Sequence, residues 1–162
     1  VDHESEFAIE VAASLAYYLH QRRQPVGLVT NGRDGGPEMG TSDTTPIRIP
    51  SRKGATQLMQ IMEALARVQV QRGKPFRQCL SEEGRQLPWA STILVVTPED
   101  SPEIVEALIS LRRSGYLITT FLVGSRVLHP DFLTTPPLPG LVFLRCRHSG
   151  ELDTLGSQRA AS

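Results

Sequence analysis

Apolar residues recur every three or four positions from Phe7 to Leu19, through Ala8, Val11, Ala12, Leu15 and Ala16. That spacing lays one apolar stripe along a helix. Glu4, Ser5 and Glu6 supply caps and negative charge at its start, and Arg22 and Arg23 supply positive charge at its end. Both suit the helix dipole. The alanines flatten one face, so the helix can lie close against a sheet, and Pro25 ends it. Val26–Thr30 reads as a short buried strand. Asn31 to Gly36 is dense turn chemistry. A polar stretch from Pro37 to Thr45 then leads, as a hairpin, to an edge strand at Ile47–Ile49, bracketed by Pro46 and Pro50. Gly54 opens a second helix with Leu58, Ile61, Met62, Leu65 and Val68 as its stripe, and Gly73 with Lys74-Pro75 ends it. A shorter helix covers Phe76 to Glu83, with Leu87 and Trp89 packing nearby.

The pattern then changes period. Thr92–Thr97 is apolar at consecutive positions, as a strand covered on both faces should be. Ser101 caps the next helix, with Pro102 at its first position and Glu103 in its first turn. Ile104, Val105, Leu108 and Leu111 form the stripe, Arg112 and Arg113 the basic last turn, and Gly115 the stop. Leu117–Val123 is the next strand. A proline-rich connection, Pro130 to Pro139, leads to a last strand at Leu141–Cys146, and the tail after Leu155 is small and polar. Strand, helix, strand, helix, strand predicts parallel βαβ units and right-handed crossovers. Sites in such sheets lie beyond the carboxyl ends of the strands. Those ends are Thr30-Asn31, Thr97 to Asp100, and Val123 to Arg126.

Composition narrows the function classes. A length of 162 residues suits one domain with a real core. Lysine and arginine total 17, as do aspartate and glutamate, which argues against a general polyanion binder. No apolar run approaches the ~20 residues that span a bilayer. The start, VDHESEF, has no secretory pattern. Cys79 and Cys146 form no Cys-x-x-Cys, so free thiols in a reducing compartment are expected, with Cys146 in the core.

The order of elements resembles a known family. Phe7-Ala-Ile-Glu-Val-Ala-Ala-Ser-Leu-Ala16, Pro25-Val-Gly-Leu-Val29, Ile49-Pro-Ser-Arg-Lys-Gly54 and Gln57-Leu58 are similar to segments of domain of unknown function 58, a relative of the von Willebrand factor A domain. Ile93–Val96, Gly115–Ile118, and Gly140–Phe143 followed by Arg145 extend the likeness over nearly the whole chain. The resemblance implies an α/β fold: a Rossmann-like three-layer sandwich of the von Willebrand factor A type. Its sheet would be mostly parallel, with an antiparallel edge strand and strand order 3-2-1-4-5-6. The domain would cover residues 1–156, with a frayed tail at 157–162. The family's first, central strand has no counterpart here, since Val1 and Asp2 cannot supply it. The strands at Val26–Val29 and Thr92–Val96 should therefore flank a vacancy, close up on each other, or trap a strand from elsewhere. The same resemblance implies the excised soluble part of a longer, membrane-tethered protein, facing the cytosol.

A-type domains hold Mg²⁺ in a hard-oxygen site built from an Asp-x-Ser-x-Ser loop, a threonine and an aspartate. The loop is missing here, and Pro98 stands at the usual aspartate position. Thr56 and Asp100 are weak metal candidates, and Asp100 and Ser101 read equally well as caps. No cofactor is expected, Mg²⁺ included. Ser51-Arg52-Lys53-Gly54 at a helix start offers an anion site, but a solvated basic turn is the simpler reading. His3, His20, His129 and His148 are scattered, and no Gly-x-Ser-x-Gly elbow exists.

The expected function is a non-enzymatic protein–protein interaction module, working with a MoxR-type AAA+ ATPase. Its binding rim would comprise Asn31, Asp34, Arg52, Lys53, Thr56, Thr97, Glu99, Asp100 and Ser101. No nucleic acid is expected as a partner, and membrane contact only through segments outside this chain. A homodimer through the incomplete sheet is a further expectation. The alternative is a nucleotide- or phosphate-binding enzyme on a Rossmann-like sheet. The missing Gly-x-Gly-x-x-Gly argues against it.

Overall fold

The computed structural model describes residues 3–34, 46–69, 74–98, 101–124 and 138–147. Its elements, in chain order, are α1 (His3–Gln21), β1 (Val26–Thr30), β2 (Arg33–Asp34), β3 (Ile47–Arg52), α2 (Ala55–Arg67), β4 (Val68–Gln69), α3 (Phe76–Gly84), β5 (Thr92–Thr97), α4 (Pro102–Arg113), β6 (Leu117–Val123) and β7 (Leu141–Cys146). They divide into two compact units, one of residues 1–11 and 80–162, the other of residues 12–79.

The first unit is built on a parallel sheet of order β5-β6-β7. β6 is buried along its length except at Leu117, as a central strand covered on both faces must be. Val95 stands opposite Thr120, and Thr120 opposite Phe143, so those three side chains share one face. α4 follows β5 as the sequence predicts. Pro102 sits at its start, and the Ser101 hydroxyl accepts from the Ile104 amide at 3.4 Å. Its buried stripe is Ile104, Ala107, Leu108 and Leu111, each of the larger three contributing about 1.5–3 kcal/mol by leaving water. Ala107 takes the place expected for Val105, which is half-buried. Cys146 is fully buried, and neither cysteine forms a disulfide.

The second unit holds an antiparallel pair, β1 with β3, with α2 packed on it. β1 is not the buried strand expected: half-buried and exposed residues alternate along it. α2 covers one face of the antiparallel pair, so every second side chain of β1 faces solvent. β3 runs on through Pro50 to Arg52, where Pro46 and Pro50 were expected to bracket it. A register shift between Val26 and Leu28 accommodates the proline: one residue of β1, Gly27, faces two of β3. A side chain at Gly27 would meet the Ile49 carbonyl oxygen at 2.6 Å. α2 ends at Arg67, earlier than Gly73 and Lys74 suggested. Val68, read as the end of its stripe, instead starts β4, which pairs with β2 in the supposed turn.

The single sheet expected for the whole chain is not what the backbone hydrogen bonds describe. The described strands form three separate sheets: β1-β3, β2-β4 and β5-β6-β7. The α/β class, the parallel order of the last three strands and the antiparallel β3 stand as expected. Trp89, expected to pack, is 88% exposed.

Candidate functional site

The most clearly displayed part of the expected rim is the turn from β3 into α2. Residues 52–56, which include Arg52, Lys53 and Thr56, are all exposed. Gly54, at φ 110°, takes a backbone conformation closed to most side chains and leads into α2 without a side-chain cap. The first turn of α2 contains no acidic residue. Free helix amides, Arg52 and Lys53 therefore give this turn a positive field.

Gln57 fixes the base of the turn. Its side-chain amide donates to the carbonyl oxygens of Val26 and Pro50, both at 2.7 Å, and it is buried to 4% exposure. One side chain thus ties α2 to β1 and β3. In the sequence it figures only within the Gln57-Leu58 resemblance, with no role of its own. Its one signal was position: it lies one turn ahead of the buried Ile61. On the same unit Asn31 is half-buried and donates to the Lys74 carbonyl at 3.4 Å. The Asp34 backbone pairs with Val68 in the β2–β4 ladder.

The remaining rim candidates belong to the first unit. Thr97 is 2% exposed, which corrects its assignment to a binding surface. It ends β5 opposite Leu122, on the face of the sheet that carries Val95. Ser101 is half-buried and spends its oxygen on the α4 cap. Glu99 and Asp100 lie outside the described residues, as do His129 and His148. The exposed face of α4 carries a shallow groove of about 530 Å³ lined by Glu106, Ile109, Ser110, Arg113 and Ser114.

The residues around Thr56 do not fit a divalent cation. Its sequence neighbours at the exposed turn are Arg52 and Lys53, whose charge repels Mg²⁺, and a Mg²⁺ site needs carboxylate or other hard oxygens. Among the described residues no three His, Cys, Asp or Glu side chains come together. No described helix is long and apolar enough to cross a membrane.

No protein-family model and no curated protein matches the chain. Solved structures do. The conserved hypothetical protein BatB from Bacteroides thetaiotaomicron superposes with a TM-score of 0.56 and 12% identity, over 97% of this chain and 86% of that one. An aerotolerance-related membrane protein from Bacteroides fragilis NCTC 9343, carrying multiple mutations to serines, superposes with a TM-score of 0.57 and 11% identity, over 98% of this chain and 89% of that one. At such identities the likeness is one of fold: the chain is an α/β protein similar to BatB in architecture, with a parallel three-stranded sheet and an antiparallel strand pair.

Proposed function

We propose that this chain is an A-type protein–protein interaction module that performs no chemistry on a substrate. It serves a larger membrane-tethered protein, on the cytosolic side, and engages a MoxR-type AAA+ ATPase. The observation that carries the reading is the β3–α2 turn: Arg52, Lys53 and Thr56 are fully displayed, while the buried Gln57 holds their base rigid. A preorganised, charged, exposed turn suits recognition of an acidic protein surface, because little ordering cost remains at binding. The likeness in fold to an aerotolerance-related membrane protein supports the membrane setting.

The test is binding of the intact chain to a MoxR-type ATPase from the same source, with and without nucleotide, followed by interferometry. Saturable binding with a Kd near or below ~10 μM is expected. Arg52→Glu with Lys53→Glu should weaken it at least about tenfold, mainly through slower association. Absence of binding, or indifference to the double reversal, would overturn the assignment. Saturable micromolar binding of ATP or NAD to this chain by calorimetry would instead favour the enzyme reading.

A further inference from the structure

We propose that the amino-terminal end of the β5-β6-β7 sheet is a contact face for an anionic lipid bilayer. The inference goes beyond the protein-binding reading and does not depend on it.

Three connections meet at this end, each leading into one strand of the sheet. Tyr116 donates its hydroxyl to the Leu87 carbonyl at 2.9 Å, which joins the turn before β5 to the turn before β6. Trp89 lies over the same turn: a methyl added at Gly115 would sit 4.0 Å from its Nε1. Arg112 Nε donates to the Pro139 carbonyl at 2.6 Å, and the Ile118 amide donates to the Gly140 carbonyl, which brings in the turn before β7.

The surface so formed is apolar where a soluble domain would normally be polar. Trp89 is 88% exposed, Leu117 53% and Val142 41%. Leu117 and Val142 share one face of the sheet, since Val142 stands opposite Thr119, two residues on from Leu117. The exposure of Trp89 is built in. Ala90 beside it holds a left-handed φ of 62°, and the Ser91 amide and hydroxyl both donate to the Pro88 carbonyl, which locks the turn.

The connections themselves carry only basic charge, with Glu82 and Glu106 just outside them. Residues 84–92, 110–118 and 138–143 contain Arg85, Arg112 and Arg113, and no aspartate, glutamate or lysine. Arg85 and Arg113 are exposed. An exposed indole, with exposed aliphatic side chains and arginines on the connections at the same end of the sheet, matches the interface of a bilayer. There the ring sits at headgroup depth and the guanidinium groups meet lipid phosphates. A nucleic acid would use the arginines and the ring but leave Leu117 and Val142 in water, so the bilayer accounts for more of the patch.

The chain has one tryptophan, so its fluorescence reports on this site directly. The intact chain is titrated with vesicles of phosphatidylcholine alone, or of phosphatidylcholine and phosphatidylglycerol in equal parts. With the anionic vesicles the emission should shift to the blue and be quenched by acyl-brominated lipid; with neutral ones it should not. Arg85→Glu with Arg113→Glu should lower partitioning at least about twentyfold, since each arginine near an anionic surface is worth about fivefold. Trp89→Ser, read by co-sedimentation, should lower it about tenfold. All three positions are exposed, so circular dichroism should show parent-like folding. Unchanged emission on anionic vesicles at low salt, equal partitioning of the double variant, or a blue shift obtained with an oligonucleotide or acidic protein but not with vesicles would overturn the proposal.

Discussion

Replacing Gln57 by leucine would remove two hydrogen bonds from one buried amide while keeping its volume. Both bonds measure 2.7 Å and end on main-chain carbonyls, of Val26 in β1 and Pro50 in β3. Pro50 lies where the β1–β3 register shifts, so the interrupted ladder has no spare donor to offer. Both bonds are only part-buried, so leaving each carbonyl without its partner costs toward the lower end of about 1–3 kcal/mol. Leucine returns about 1–2 kcal/mol of apolar burial. The net expectation is a loss of about 1–2 kcal/mol, confined to the unit of residues 12–79. Hydrogen exchange read by mass spectrometry should show faster opening of residues 26–30 and 47–52, with residues 117–123 as reference. Gln57→Glu sharpens the reasoning, because a carboxylate turns acceptors toward both carbonyls. Burial raises such a carboxyl above its unfolded value, so the variant keeps its stability at low pH and loses it as pH rises through the folded value. Opening free energies for Gln57→Leu within about 0.5 kcal/mol of the parent would refute the clamp.

Other substitutions test other parts of the fold. Gly27→Ala would press a methyl onto the Ile49 carbonyl at 2.6 Å and the Ser51 amide at 2.9 Å, and should cost more than ~2 kcal/mol by urea titration. Gly84→Ala meets the buried Leu111 methyl groups at 2.7 and 2.9 Å, so Leu111 must repack and the same titration should show a loss of about 1–3 kcal/mol. Ser101→Ala removes a long cap hydrogen bond and should cost about 0.5–1 kcal/mol, while Ser101→Gly should cost a few tenths. Thr56→Ala and Asp100→Ala should melt as the parent does with and without Mg²⁺; a Mg²⁺-dependent rise in parent Tm, lost in both, would establish a metal site after all.

The parts legible in the sequence are those whose signal is local and repeated. Thr92–Thr97, Leu117–Val123 and Leu141–Cys146 emerge as strands because their apolar runs are too short for helices and are bounded by Pro98, Gly115, Gly124 and Gly140. α4 emerges because a cap, a first-turn proline and a stripe agree. What stayed hidden depends on distant residues. β2 and β4 have two residues each, too few for any period to show. Val68 continues a helical stripe in spacing, yet its backbone turns extended, φ −61° and ψ 127°. Trp89 looks like core because large aromatics usually are, and only the tertiary fold leaves it outside. Within the rim, the basic turn at Arg52 and Lys53 could be read from sequence, whereas the burial of Thr97 follows from its place at the inner end of β5.

β5 has consequences for how this protein behaves in the test tube. It pairs with β6 on one side, and no described strand is bonded to the other. Its sequence, Thr-Ile-Leu-Val-Val-Thr, carries no charge, proline or glycine. Natural edges are commonly guarded by lysine, proline or a bulge, and six-residue segments of this composition stack readily into cross-β ladders. Whenever thermal opening bares this segment, colloidal association competes with refolding. Heating should therefore give scan-rate-dependent, irreversible transitions that worsen with concentration. A charge placed at the exposed Thr92, as in Thr92→Lys, should restore reversibility at little cost to the core.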